Sequence, residues 1–60
     1  MGIYILKTDL NEYLLAVSNG VAISTARKYE AKKFFKESDA IAAAKQINTK
    51  KKKWTVEKVG

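Results

Sequence analysis

The dipeptide Asn19-Gly20 constrains the fold of this chain more than any other feature of its sequence. Apolar runs flank it on both sides, at residues 12–18 and 21–25. A two-residue type I′ turn needs positive φ at both central residues, and asparagine followed by glycine adopts this conformation with little strain. We therefore predict an antiparallel β-hairpin that turns at Asn19-Gly20.

A further strand is predicted before this hairpin. Residues 2–8 are rich in β-branched and aromatic side chains and lack a helical period, which is typical of a strand. The interruption at residues 9–11 contains Asp9 and Asn11, whose side chains favour turns because they can bond to their own backbone. The opening 25 residues are thus expected to form a three-stranded antiparallel meander.

Residues 26–37 are compatible with two conformations. Ala31 and Phe35 lie four positions apart and would share one face of a helical turn. Alternatively, the segment crosses the sheet irregularly and places Ala31 and Phe34 in the core before a helix begins. We prefer the second interpretation.

The helix is predicted over residues 39–47, where alanines give high helix propensity. Ser38 is suited to cap its first turn, and Asp39 complements the positive end of the helix dipole. Asn48 can take the left-handed conformation that ends a helix. An apolar stripe at helical spacing should face the sheet, and it consists of Ala40, Ile41, Ala44 and Ile47.

Residues 54–59 alternate in polarity and predict a closing strand with Trp54 and Val56 facing inward. The order is then β-β-β-α-β, over a single domain that spans residues 1–60. We expect an α+β fold of two layers, an antiparallel sheet with one helix packed on one face.

The small size of the chain makes a partner plausible on thermodynamic grounds. A domain of 60 residues buries only about 60% of the surface of its unfolded chain, so its stability is marginal. The sequence contains no Cys, so no disulfide can add stability. Self-association, for example as a homodimer, is one way to compensate.

Several residue types needed for catalysis are missing. The chain has neither Cys nor His, its glycines are isolated, and its carboxylates match no metal-binding or phosphoryl-transfer motif. We predict that it is not an enzyme and has no catalytic residues, cofactor or metal site. It also lacks an apolar run of about 20 residues and a secretory leader, which predicts a cytoplasmic protein without a membrane partner.

The chain carries 12 basic and 6 acidic residues, for a net charge of +6. Such an excess favours binding to nucleic acid or acidic surfaces, but it also simply keeps a small protein soluble. Eleven of the basic residues are lysines, which lack the planar fork that reads guanine. Any nucleic-acid contact is therefore predicted to be non-specific and salt-sensitive.

The basic residues form two clusters with aromatic neighbours. The first cluster consists of Arg27, Lys28, Lys32, Lys33 and Lys36, and the second of Lys50, Lys51, Lys52 and Lys53. Together they could follow a phosphate backbone while Tyr29, Phe34, Phe35 or Trp54 stacks on bases. The alternative is that the lysines are solvated or guard a sheet edge, and that the large aromatic side chains form the core.

A second candidate surface is a face of the sheet. Tyr4 and Leu6 should lie opposite Ile3 and Ile5, so the first strand is apolar on both faces. The second strand follows the same pattern, with Tyr13, Leu15 and Val17 opposite Leu14 and Ala16. A single helix covers one face only, and uncovered apolar patches often mark protein contacts. The candidate contact residues are Tyr4, Tyr13 and Leu15, although tyrosine is also an ordinary outer-face residue whose hydroxyl stays in water.

The sequence also resembles a known group of proteins. The hairpin with Tyr13-Leu14 and Asn19-Gly20, the segment 31–34, the helix from Ser38 to Lys45 and the strand 54–59 resemble small uncharacterised proteins encoded by phages and prophages of Gram-positive bacteria. The resemblance implies a bacterial host cytoplasm and a binding role, and it transfers no functional residue. The leading hypothesis is a phage-related module that binds a protein, or a second copy of itself, through the exposed sheet face; the alternative is a non-specific nucleic-acid-binding protein.

Overall fold

The structure is a computed structural model that describes residues 2–47 and 52–60. Its sheet has the antiparallel order β3-β2-β1-β4, and one helix packs against β1 and β4. The elements are β1 (Tyr4–Thr8), β2 (Tyr13–Ser18), β3 (Val21–Thr25), α1 (Glu37–Ile47) and β4 (Trp54–Lys58). The predicted α+β class and β-β-β-α-β order are confirmed.

The hairpin between β2 and β3 turns where the sequence predicts. Asn19 and Gly20 have φ values of 51° and 76°, and Ser18 pairs with Val21 across the turn. Both central residues thus adopt the left-handed conformation that a type I′ turn demands. The predicted hairpin is confirmed.

A β-bulge interrupts β2 in the middle. The register passes from Leu14↔Ser24 to Ala16↔Ile23, which leaves Leu15 as the extra residue. A bulge shifts the alternation of side chains by one position, so Val17 joins the face of Leu14 and Ala16 joins the face of Leu15. The prediction that Val17 shares a face with Leu15 and Tyr13 is therefore wrong.

The core lies between α1 and the sheet. Trp54 is buried and Val56 packs against the core from the same face, as predicted. The buried cluster consists of Leu6, Leu14, Ala40, Ala44, Ile47 and Trp54. Because the helix contributes mostly alanines, its backbone can lie close to the sheet, and larger side chains from the strands fill the remaining space.

The helix differs from the prediction at its start and on its face. It begins at Glu37, where the amides of Asp39 and Ala40 bond to the carbonyl of Lys36 at 3.1 and 3.3 Å, so Ser38 lies inside the first turn and is not the cap. Ile41 is 41% exposed. The buried stripe is centred on residues 40, 43, 44 and 47, and at 100° per residue Ile41 lies beside it. The predicted cap at Asn48 lies outside the described residues.

Residues 26–36, here called the crossing segment, lead from β3 to α1. They contain a short 3-10 turn at Lys28–Glu30. Ala31 is buried, Phe34 packs against the core, and Phe35 is exposed. The preferred interpretation, an irregular crossing that brings Phe34 to the core, is confirmed; Ala31 is buried as well, but it lies outside the cluster between α1 and the sheet.

The crossing segment ends by inserting between β1 and β2. Tyr4 and Phe34 exchange two backbone hydrogen bonds of 2.8 Å, on the edge of β1 opposite to β4. The amide of Lys32 donates to the carbonyl of Leu14 in β2 at 2.7 Å. β1 and β2 themselves pair at Lys7↔Tyr13, towards the other end of β1. Residues 32–34 therefore act as a wedge that separates the two strands beyond this pair.

The turn between β1 and β2 is organised by the buried Thr8 rather than by Asp9. Its hydroxyl oxygen accepts hydrogen bonds from the amides of Leu10 and Glu12, both at 3.2 Å. The amide of Thr8 donates to the carbonyl of Glu12 at 2.8 Å. Asn11 contributes a φ of 60°, a left-handed conformation that asparagine tolerates.

The substitution Thr8→Val tests this role, because it keeps the shape of the side chain and removes the acceptor. We expect a loss of about 1–2 kcal/mol in the free energy of unfolding, since two amides lose their partner. Urea denaturation followed by circular dichroism measures it. Thr55→Val is the control, because the exposed Thr55 donates one bond to the carbonyl of Lys7, and its change should stay within about 0.5 kcal/mol. Equal losses in both variants would contradict the assignment.

Candidate interaction surface

The outer face of the sheet, opposite α1, is covered over β1 by the crossing segment. Ile5 belongs to this face and is only 2% exposed. It pairs in register with Glu57 of β4, and Lys28 from the 3-10 turn reaches Glu57 with a distance of 2.6 Å between Nζ and Oε2. The 3-10 turn therefore reaches this face at Glu57, beside the buried Ile5, and the apolar patch expected on β1 is closed.

The outer face stays exposed over β2 and β3. Val21 and Ile23 alternate onto it from β3, and the bulged Leu15 lies beside Ala16, the register partner of Ile23. These three side chains are 42% (Leu15), 63% (Val21) and 44% (Ile23) exposed. Leu15, Val21 and Ile23 together form a surface that we call the hairpin patch.

The hairpin that carries this patch is uncharged. No charged residue occurs from residue 13 to residue 26, although 12 basic and 6 acidic residues occur elsewhere in the 60-residue chain. Glu12 is the last charge before this stretch and Arg27 is the first after it. A neutral, partly apolar surface thus lies within a protein of net charge +6.

The structure does not bring the three predicted contact residues together. Tyr4 lies on the helix side and packs against the core. Tyr13 lies on the outer face and is half-buried, whereas Leu15 belongs to the hairpin patch. Val21 and Ile23 were not among the contact residues predicted from the sequence. The regular alternation of side chains in β3 and the lack of charge around it are the signals that could have identified them as exposed apolar residues.

Acidic residues accompany the basic cluster at residues 27–36. Nη1 of Arg27 lies 3.7 Å from Oε2 of Glu30, and Lys28 binds Glu57 as described. The hydrogen bond with Glu57 is the main cause of a raised pKa of Lys28, and the same bond lowers the pKa of Glu57 below its ordinary value. These two cations are therefore partly neutralised within the protein.

The second basic cluster is described at Lys52 and Lys53 only, because Lys50 and Lys51 lie outside the described residues. Nζ of Lys52 lies 2.9 Å from Oε1 of Glu12 in the turn between β1 and β2. Here too a carboxylate faces the cation. Trp54, which follows, is buried in the core and offers no exposed ring for stacking.

The two clusters approach β1 at its two ends. Lys32 and Lys33 adjoin Phe34, which pairs with Tyr4 at the start of β1. Lys52 and Lys53 precede Trp54, which pairs with Thr8 at the end of the same strand. Four residues of a strand span about 13 Å. The backbone positions at which these members of the clusters join β1 are therefore about 13 Å apart along the strand.

Two aromatic rings near the first cluster are exposed, those of Tyr29 and Phe35. Phe34 is instead packed against the core, and Nζ of Lys32 lies 5.7 Å from the centre of its ring, a cation–π distance. Lys36 directly precedes α1, and its carbonyl accepts the first helical bonds. The predicted stacking platform is thus reduced to two rings.

The chemistry available elsewhere on the surface is limited. An open depression of about 520 Å³ lies beside β4, and charges of both signs line it. Its polar lining consists of Lys7, Thr8, Asp9, Lys53, Thr55 and Glu57. In the part of the chain that the structure describes, no three acidic, His or Cys side chains gather as metal ligands. Within the same ranges, no helix has the length and apolar character needed to cross a membrane.

Comparison with known proteins adds no relative. No protein-family model matches the chain, and no curated protein or solved structure matches it either.

The Lys28–Glu57 pair predicts a pH dependence of the crossing segment. The pKa of Glu57 is lowered from 4.5 and that of Lys28 is raised from 10.5, so the pair contributes stability between these values and loses it as pH falls below 4.5. We expect Glu57→Gln to lower the thermal midpoint at about pH 7, and we expect this difference from the wild type to shrink as pH falls below 4.5. Differential scanning calorimetry measures both midpoints. A difference that persists or grows at low pH would show that Glu57 does not act through this pair.

Proposed function

We propose that this protein is a non-catalytic interaction module that binds a protein partner through the hairpin patch. The observation that carries the proposal is the coincidence of three exposed aliphatic side chains with an uncharged stretch of fourteen residues, 13–26, in a strongly basic chain. The cores of protein interfaces are depleted in charge in the same way. The resemblance to phage and prophage proteins supports a bacterial cytoplasmic setting for this partner.

The covered half of the outer face supports the same proposal. Ile5 of β1 is buried, and Lys28 of the crossing segment pairs on the same face with Glu57 of β4, the register partner of Ile5. Among the strand residues of the outer face, the exposed aliphatic side chains therefore lie on one hairpin. A confined apolar patch with a polar surround is the usual arrangement of a protein-contact site.

The alternative, non-specific nucleic-acid binding, has weaker support from the charge geometry. Arg27, Lys28 and Lys52 each face a carboxylate. Binding to a phosphate backbone gains affinity from each phosphate that a cation neutralises, so cations already paired within the protein contribute less. The exposed Phe35 beside Lys33 and Lys36 is the part of the surface that favours this alternative.

Affinity capture from host-cell lysate tests the proposal with a matched pair of variants. Ile23→Lys places a charge in the hairpin patch, whereas Ile41→Lys makes the same change at a site of nearly equal exposure, 41% against 44%, on α1. We expect the partner to be lost with Ile23→Lys and retained with Ile41→Lys, because a buried lysine would be desolvated at the interface. Nuclease treatment of the lysate should leave capture unchanged.

Two results would contradict the proposal. The first is a partner retained by Ile23→Lys at wild-type level. The second is capture that disappears after nuclease treatment. A mobility-shift assay in which Lys32→Gln, Lys33→Gln and Lys36→Gln together weaken binding, and in which added salt weakens it steeply, would then support the nucleic-acid alternative.

A further inference from the structure

We infer that the partner of the hairpin patch is a second copy of this chain, which pairs its β3 antiparallel to β3 and extends the sheet across a two-fold axis. This inference rests on the proposed function of the hairpin patch and places the contact at the β3 side of the patch, where Val21 and Ile23 meet the second copy, rather than over the whole face. In such a dimer, two four-stranded sheets join edge to edge into one sheet of eight strands.

The position of β3 in the sheet makes this pairing available. β3 is the outermost strand in the order β3-β2-β1-β4. In an antiparallel ladder, alternate residues direct their amide and carbonyl groups away from the neighbouring strand. Within the described ranges, no backbone hydrogen bond from a turn, loop or other segment reaches residues 21–25. The outer edge of β3 is therefore a row of open donors and acceptors.

The two edges of the sheet differ in their protection. Natural edge strands are commonly guarded by lysine, by other charges or by proline. β4 carries Glu57 and Lys58, and Lys53 precedes it. β3 has the sequence Val-Ala-Ile-Ser-Thr, with neither a charge nor a proline. The edge that adjoins the hairpin patch is the unguarded one.

The sequence of β3 is complementary to itself in this geometry. A two-fold axis through Ile23 places Ile23 opposite its own copy and Val21 opposite Thr25, all on the outer face. Aliphatic and threonine cross-strand pairs of this kind stabilise sheets. On the helix side, the small Ala22 and Ser24 face each other. α1 lies over β1 and β4, so it leaves the β3 edge open to the second copy.

Charge also favours a second copy at this edge. Two chains of net charge +6 repel each other over most of their surfaces. The uncharged residues 13–26 are where two copies can meet without opposing lysines. Arg27, the first cation after β3, is paired with Glu30, and the hydroxyl of Thr25 donates to the same carboxylate at 3.1 Å.

The expected dimer is weak and reversible. Pairing of two five-residue strands buries less than the roughly 1,200–2,000 Å² of a standard stable interface. The affinity should accordingly be micromolar or weaker. Burial of additional apolar surface at the β3 edge would nevertheless stabilise a chain of 60 residues, because its own core is small.

Sedimentation equilibrium of the purified protein tests the inference. We expect a reversible monomer–dimer equilibrium that strengthens when NaCl rises from about 50 to about 500 mM, because salt screens the repulsion between the copies. Ile23→Lys should weaken dimerisation about tenfold or more, since two lysines then face each other across the axis, and Ile41→Lys should leave it unchanged. Val21→Lys serves as a second variant at a more exposed site, and thermal melts confirm that each variant is folded.

Hydrogen exchange distinguishes edge pairing from packing of the two outer faces. In the edge-paired dimer, alternate β3 amides that exchange rapidly in dilute solution become protected as concentration rises. A protein that stays monomeric in high salt at about 1 mM, or a dimer that forms without this protection, overturns the inference. If the protein is monomeric while Ile23→Lys still abolishes capture from lysate, the proposed function stands with a different partner. If Ile23→Lys changes neither dimerisation nor capture, both fail.

Discussion

Three backbone hydrogen bonds hold residues 32–34 between β1 and β2, and the rest of the structure depends on them. Two join Tyr4 and Phe34, and one joins Lys32 to Leu14. They separate β1 and β2 beyond the pair Lys7↔Tyr13, carry Phe34 into the core, and fix the point from which α1 starts. Without this wedge the two strands could continue as one ladder, and the crossing segment would have no fixed path over the sheet.

The wedge also determines which part of the outer face stays exposed. Because the crossing segment is anchored between β1 and β2, its 3-10 turn reaches this face at Glu57, beside the buried Ile5. The hairpin of β2 and β3 is left without a cover. The same chain segment therefore closes one apolar surface and leaves the uncharged one open, so the proposed interaction surface follows from the fold rather than from a separate motif.

Local signals predicted much of the fold. Asn19-Gly20 acts through its own φ angles, and the burial of Trp54 follows from strand alternation, so both could be predicted from short stretches of sequence. The bulge at Leu15 and the wedge depend on pairing between distant residues, which no local pattern encodes. For the candidate site, the alternation of side chains along the strands identified Leu15 as an outer-face residue. It did not show that Tyr4 lies on the opposite face, because the face of β1 against which α1 packs is not encoded in the strand itself.

An NMR measurement of the contact between Tyr4 and Phe34 tests the wedge most directly. Residues that exchange both backbone hydrogen bonds bring their amides close together, so we expect an amide–amide NOE between Tyr4 and Phe34. We also expect slow hydrogen exchange at the amides of Tyr4, Phe34 and Lys32. An amide–amide NOE from Tyr4 to Ala16 instead, as an unbroken continuation of the Lys7↔Tyr13 register would require, would contradict the presence of the wedge.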